Sequence, residues 1–180
     1  MNIDYDFLKS NAKFIHAFGL GFIQIKLNDT QRVHVYTDKI KSTTGEEEVH
    51  DHRYDFISKI IKGRLTNKIY GITEGNNFVL TKENCSPNKM LSANHENMSC
   101  GIKLLSSAEM SVGSVYFMEK DTLHRVETNR CITWLERKSP SKDTATVIYP
   151  KGYINNCPFS VNLPEDKLWA IVKEEIEYAY

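Results

Sequence analysis

Hydrophobic and polar residues change period several times along this chain, and each change marks an element. Phe7, Leu8, Phe14, Ile15 and Phe18 follow a rough helical spacing, which predicts an N-terminal helix over residues 1–18 before Gly19 and Gly21 break it. Phe22-Ile23-Gln24-Ile25-Lys26-Leu27 then alternates in part, Asn28-Asp29 marks a turn, and Arg32-Val33-His34-Val35-Tyr36 alternates again, the pattern of a β-hairpin. Residues 49–61 are the most strand-like stretch, with His50, His52, Tyr54, Phe56, Ser58 and Ile60 on one face and Gly63 expected to end it. Residues 65–72 and 78–80 return as strands on either side of Asn76-Asn77. The polar piece 81–97 reads as a loop, and 102–105, 114–118, 122–127, 131–135 and 146–149 read as further short strands.

A C-terminal helix over residues 164–179 is signalled independently. Asn162 is the expected cap, Pro164 sits at the first turn, and Glu165 and Asp166 suit the positive helix end. Leu168, Trp169, Val172 and Ile176 repeat on one side, the side expected to pack on a sheet. Eight or nine short strands flanked by terminal helices predict an all-β-dominated fold, a sandwich or double-sheet jelly roll whose barrel spans 22–150. A chain of 180 residues fits one such domain.

Composition narrows the partners. Lys plus Arg and Asp plus Glu number 23 each, so no basic excess recommends a nucleic-acid surface. The run Glu46-Glu47-Glu48 reads as a solvated loop. No stretch of about 18 apolar residues predicts a membrane span, and the N-terminus lacks the features of a secretory signal, so a cytoplasmic setting is expected. Cys85, Cys100, Cys131 and Cys157 have no short paired spacing, and reduced thiols are the expectation. Cys85, His95 and Cys100 would make only an irregular, incomplete zinc site.

The candidate chemistry lies in His50-Asp51-His52. On an extended strand His50 and His52 project the same way, with Cα atoms about 6.5 Å apart, close enough for both imidazoles to meet one metal ion. His124, in the second strand-like run Leu123-His124-Arg125-Val126-Glu127, is placed to supply a third nitrogen from across a sheet. Chance is the competing explanation, since six histidines in 180 residues readily yield one His-x-His. Asp55 and Glu127 are the candidates for holding the outer ring nitrogens, or for an extra ligand; pairing with Arg53 and Arg125 is the alternative. Tyr54, Phe56, Tyr116 and Trp134 are expected to line a small apolar pocket or to be ordinary core. His16, His34 and His95 are read as structural or exposed.

The spacing Gly45-x4-His50-x-His52-x10-Gly63 resembles the first cupin motif, and Gly113-x10-His124-x4-Asn129 resembles the second. The resemblance covers roughly the central half of the chain and implies the cupin jelly roll, with a metal on His50, His52 and His124. Most metal-binding cupins add a glutamate separated from the second histidine by three or four residues; Phe56 and Ile57 stand there. Three histidines without a carboxylate are the pattern of the thiol dioxygenases, which the segments around His50 and His124 also resemble. That family places a cysteine where Ile57 stands, and a serine, a histidine and a tyrosine where this chain has Thr133, Leu135 and Arg137. The ligand set therefore transfers, and the thiol chemistry does not.

These readings imply a mononuclear non-haem oxygenase acting on a small molecule, with Fe(II) favoured and Zn(II) or Ni(II) as alternatives. A metal-dependent lyase, isomerase or hydrolase on the same ligands, and a small-molecule-binding cupin without turnover, are the competing expectations. A homodimer through a sheet edge is compatible with this architecture.

Overall fold

A computed structural model describes residues 3–42, 48–83, 97–153 and 161–178. In chain order its elements are α1 (Tyr5–Asn11), β1 (Phe14–Phe18), β2 (Phe22–Lys26), β3 (Gln31–Tyr36), β4 (Val49–His50) and β5 (Phe56–Glu83). There follow β6 (Met98–Ser111), β7 (Val115–Met118), β8 (His124–Glu127), β9 (Cys131–Arg137), β10 (Ala145–Pro150) and α2 (Glu165–Glu177). The fold is β-dominated, and every strand pairing among the described residues is antiparallel. The first sheet runs β1-β2-β3-β9-β5, with β7 also on β5. The second joins β4, β6, β8 and β10 around the later part of β5.

The expected N-terminal helix of residues 1–18 is shorter than its apolar spacing suggested. Asp4 caps it by accepting a hydrogen bond from Phe7 N at 2.8 Å, and Ala12 is already extended. Residues 14–18 form β1 instead, because Phe14, His16 and Phe18 alternate with Ile15 and Ala17 and pair in register with β2. The expected hairpin is present. Asn28 Oδ1 fixes its turn by accepting from Thr30 N and Gln31 N.

Gly63 does not end a strand. It takes a left-handed φ of 74°, next to a register irregularity between Ile60 and Lys62. Here β5 leaves the first sheet and enters the second, and glycine reaches that dihedral without a Cβ clash. The two later strands expected over 65–72 and 78–80 are parts of the same β5, and Asn76-Asn77 sits in an irregularity of its pairing with β6 rather than between two separate strands. The single strand expected over 49–61 is broken: β4 stops at His50 and β5 starts at Phe56.

Alternation sorts the first sheet into two faces. Ile23, Ile25, Val33, Val35 and Ile132 point outward into a core with Ala17, Leu8 and the α2 residues Leu168, Trp169 and Val172. Asn162 does not cap α2; Pro164 holds the cap position and makes no side-chain bond there. The fourth buried position on α2 is Glu175, whose Oε1 accepts from Thr37 Oγ1 at 2.7 Å, while Ile176 is half-buried. The opposite face of the sheet, bearing Phe22, Gln24, Arg32 and His34, lines an open cavity of about 1120 Å³ that β4, β8 and β10 border on its other side. Cys100 and Cys131 are buried free thiols; Cys85, His95 and Cys157 lie outside the described residues. No helix among the described residues is long and apolar enough to cross a membrane.

Candidate metal centre

Strand pairing builds the cluster. β4 and β8 are antiparallel neighbours, with His50 directly opposite His124. His52 lies two residues past the end of β4, where its backbone N–H donates to Lys120 O at 3.0 Å. Between the two histidines, Asp51 turns into the protein. Its Oδ1 accepts from Thr146 N at 2.7 Å, its Oδ2 from Lys142 Nζ at 2.9 Å, and its own N–H donates to Thr146 O. Pinning Asp51 to β10 leaves both flanking imidazoles facing the cavity.

His50, His52 and His124 each offer a nitrogen within 4.8 Å of the others. The ring centroids are 5.3, 5.1 and 4.9 Å apart, and His52 Nε2 lies 2.7 Å from His124 Nε2. Nitrogens of neighbouring ligands bound at 2.0–2.1 Å stand about 3.0–3.4 Å apart, so a small outward movement admits a cation. Protonation fits as well. Burial, followed by the nearby His50, holds His124 well below its ordinary pKa; burial, followed by His124 and His50, does the same to His52. His50 is lowered to about 4 by burial, against a smaller opposing pull from Asp51. Neutral imidazoles are the form that ligates metals.

Two polar groups sit behind the rings, and the one behind His124 is hydrogen-bonded to it. Asn67 Oδ1 accepts from His124 Nδ1 at 2.8 Å, which leaves the Nε2 lone pair aimed at the cluster. Glu48 Oε1 lies 3.6 Å from His50 Nδ1, and Glu48 is 7% exposed rather than solvated as its acidic run suggested. Both were missed in the sequence. Asn67 leaves a usable sign: it is a polar residue on the buried parity of β5, between Leu65 and Ile69.

The two carboxylates expected near the rings stand elsewhere. Asp55 accepts from Lys120 N at 2.8 Å and braces a loop; Glu127 is half in solvent, bonded to Arg125 and, at 2.6 Å, to Lys68. Of the four expected pocket residues, Tyr54, Phe56 and Tyr116 line the cavity, and Phe56 meets His52 edge-on at 4.6 Å. Trp134 pairs with Val33 and shares its outward parity, so it packs in the helix-side core. His16 and His34, expected to be structural or exposed, line the same cavity.

A mostly β fold that brings His50, His52 and His124 together defines a protein with a possible three-histidine metal site, and that combination is compatible with a cupin. No protein-family model matches the chain, and no curated protein matches it significantly.

Proposed function

We propose that this chain is a metal-binding cupin in which His50, His52 and His124 hold one divalent ion, and that with Fe(II) it is an oxygenase acting on a small molecule. The convergence of three neutral imidazoles from two strands and a loop supports the reading. Such a metal supplies open coordination positions for substrate and dioxygen. The protein's own part is to keep the three rings neutral by burial, to fix the His124 tautomer through Asn67, and to hold His52 against Phe56.

The test begins with the metal-stripped full chain under anaerobic conditions. Fe(II), Zn(II) and Ni(II) are expected to bind at one per chain and to fail in His124→Ala. Absence of stoichiometric binding by any of them would overturn the metal centre. Oxygen uptake by the iron-loaded protein with a panel of small molecules then separates the oxygenase from a binding cupin, which would bind members of the panel without consuming oxygen.

A further inference from the structure

The cavity-facing positions of the first sheet form transverse rows fixed by strand register. One row is aromatic: Phe18 opposes Phe22, which opposes Tyr36. The next is neutral and polar, with His16, Gln24, His34 and Thr133 in line. Then comes a cationic row, in which Lys26 opposes Arg32 and Arg32 opposes Leu135, with Arg137 two residues further along β9. The aromatic end is a continuous wall: Phe18 and Phe22 stack at 5.0 Å, and Phe22 and His34 stack at 4.5 Å.

Among the described residues, Arg32 and Arg137 have no carboxylate partner. Arg32 and Arg137 flank the Tyr54 ring at 5.0 and 4.6 Å, and both Nε atoms are buried without a hydrogen-bond partner. Among the described residues, the arginine ion pairs belong to Arg64, Arg125 and Arg130. Arg137 bonds only neutral oxygens, Ser141 Oγ at 2.8 Å and Asp29 O at 3.5 Å. The Asp29 carboxylate, which Arg137 also influences, is taken by Lys26 at 3.1 Å. Burial opposes the charge on Arg32, and Arg137 and Arg53 add to that opposition, while the Tyr54 hydroxyl offsets it in part. A guanidinium keeps its proton, so the two cations are held together with donors to spare. An oxyanion would relieve both the repulsion and the unmet donors.

The geometry points to a substrate or ligand that is an acidic oxyanion on a flat, apolar body: its carboxylate or phosphate bound by Arg32 and Arg137, its body lying along the Phe18–Phe22–His34 wall. This deepens the reading above and rests on it for the chemistry, because Arg32 and His34 both lie within electrostatic reach of His52. The binding itself stands on the arginines and the wall.

Calorimetry on the metal-free full chain tests it with 2-naphthoate, 2-naphthyl phosphate and the neutral 2-naphthamide. At least one anion should bind at one per chain and at least about tenfold more tightly than the amide, the ratio expected when a charge-assisted bond is lost. The tighter of the two anions tells carboxylate from phosphate. Arg32→Gln should weaken that anion at least about tenfold and leave zinc stoichiometry unchanged, with Arg32→Lys in between. His124→Ala should lose zinc and keep the anion within about threefold. If neither anion outbinds the amide in the unaltered chain, the proposal fails whatever the variants do. Zinc binding that persists in that case leaves the metal centre standing; anion binding without zinc sinks the metal centre alone.

Discussion

Two groups of histidines face one cavity, and they differ in what their nitrogens do. His50, His52 and His124 converge, with nitrogens within 4.8 Å of one another. His16 and His34 sit on the opposite sheet in one transverse row, separated by Gln24, and their rings lie against aromatic neighbours: Phe14 and Phe18 for His16, Phe22 for His34. Both groups are held neutral, chiefly by burial: His16 at about 4, His34 at about 3 and His50 at about 4. Neutrality and a shared pocket therefore do not make a possible metal site without convergence, which arises where two antiparallel strands place His50 opposite His124 while Asp51 anchors the turn that returns His52. In the flat row, the strand spacing and the intervening Gln24, whose Nε2 lies 3.2 Å from His34 Nε2, keep the imidazoles from sharing a cation.

The sharpest way to break this comparison is to truncate one member of each group. His124→Ala should abolish stoichiometric metal binding, because two imidazoles remain and the centre of the cluster is lost. His34→Gln should leave metal stoichiometry and affinity unchanged, as read by metal analysis after dialysis against Zn(II). Equal losses in both variants would mean that the cavity binds metal diffusely.

Acid separates the groups next. A histidine whose folded pKa is depressed lets the unfolded chain bind more protons between the two values. Stability is then complete above about 6.5 and falls as pH drops toward the folded pKa, by about 1.4 kcal/mol per unit for each such group. Denaturant unfolding of the metal-free chain at pH 7, 6 and 5 should show that decline. His34→Gln should make it shallower. Saturating zinc should raise stability by a similar amount at all three pH values, because the three cluster imidazoles are already proton-free in the metal-free fold over that range. An unchanged slope in His34→Gln would place that residue outside the buried environment described.

What the sequence disclosed follows the same division. The histidine cluster was legible because His-x-His spacing and the distant His124 form a pattern that survives the loss of regular strand between Asp51 and Asp55. The wall of the cavity was harder. Gln24, Arg32 and His34 alternate with Ile23, Ile25, Val33 and Val35, and that parity announces two faces without saying that the polar one lines a cavity. The β1 strand was hidden because Phe14, Ile15 and Phe18 satisfy a loose helical spacing as well as alternation, and pairing with β2 decides between them. The continuity of β5 was hidden by Gly63 and Asn76-Asn77, which usually punctuate strands and here sit inside one. Trp134 shows the cost of choosing pocket residues by type: one step of parity from Thr133 places it on the helix side.

The partners behind the rings should give a smaller effect than the ligands. Asn67→Ala removes the acceptor that fixes the His124 tautomer, and a loss of about 10–100-fold in metal affinity is expected, as for outer hydrogen bonds to metal-bound imidazoles. Gln24→Ala, the matching change in the flat row, should leave metal affinity within about twofold. Competition with a chromophoric chelator reads both, and no difference between them would remove Asn67 from the centre.

The smallest effect is expected at Glu127, the carboxylate nearest to His124 along β8. Its side chain is 43% exposed and is held by Lys68 and Arg125, which together keep its pKa below the usual carboxylate value. Pairs this open to solvent are worth less than about 1 kcal/mol and fade with salt. Glu127→Gln should therefore cost a fraction of that at low ionic strength and nothing measurable at high salt. Metal affinity should not move, because His124 Nδ1 is already satisfied by Asn67 from the neighbouring strand. A tenfold loss of metal in Glu127→Gln would mean that the carboxylate swings inward when the cation binds, and the division between ligands and surface charges on β8 would have to be redrawn.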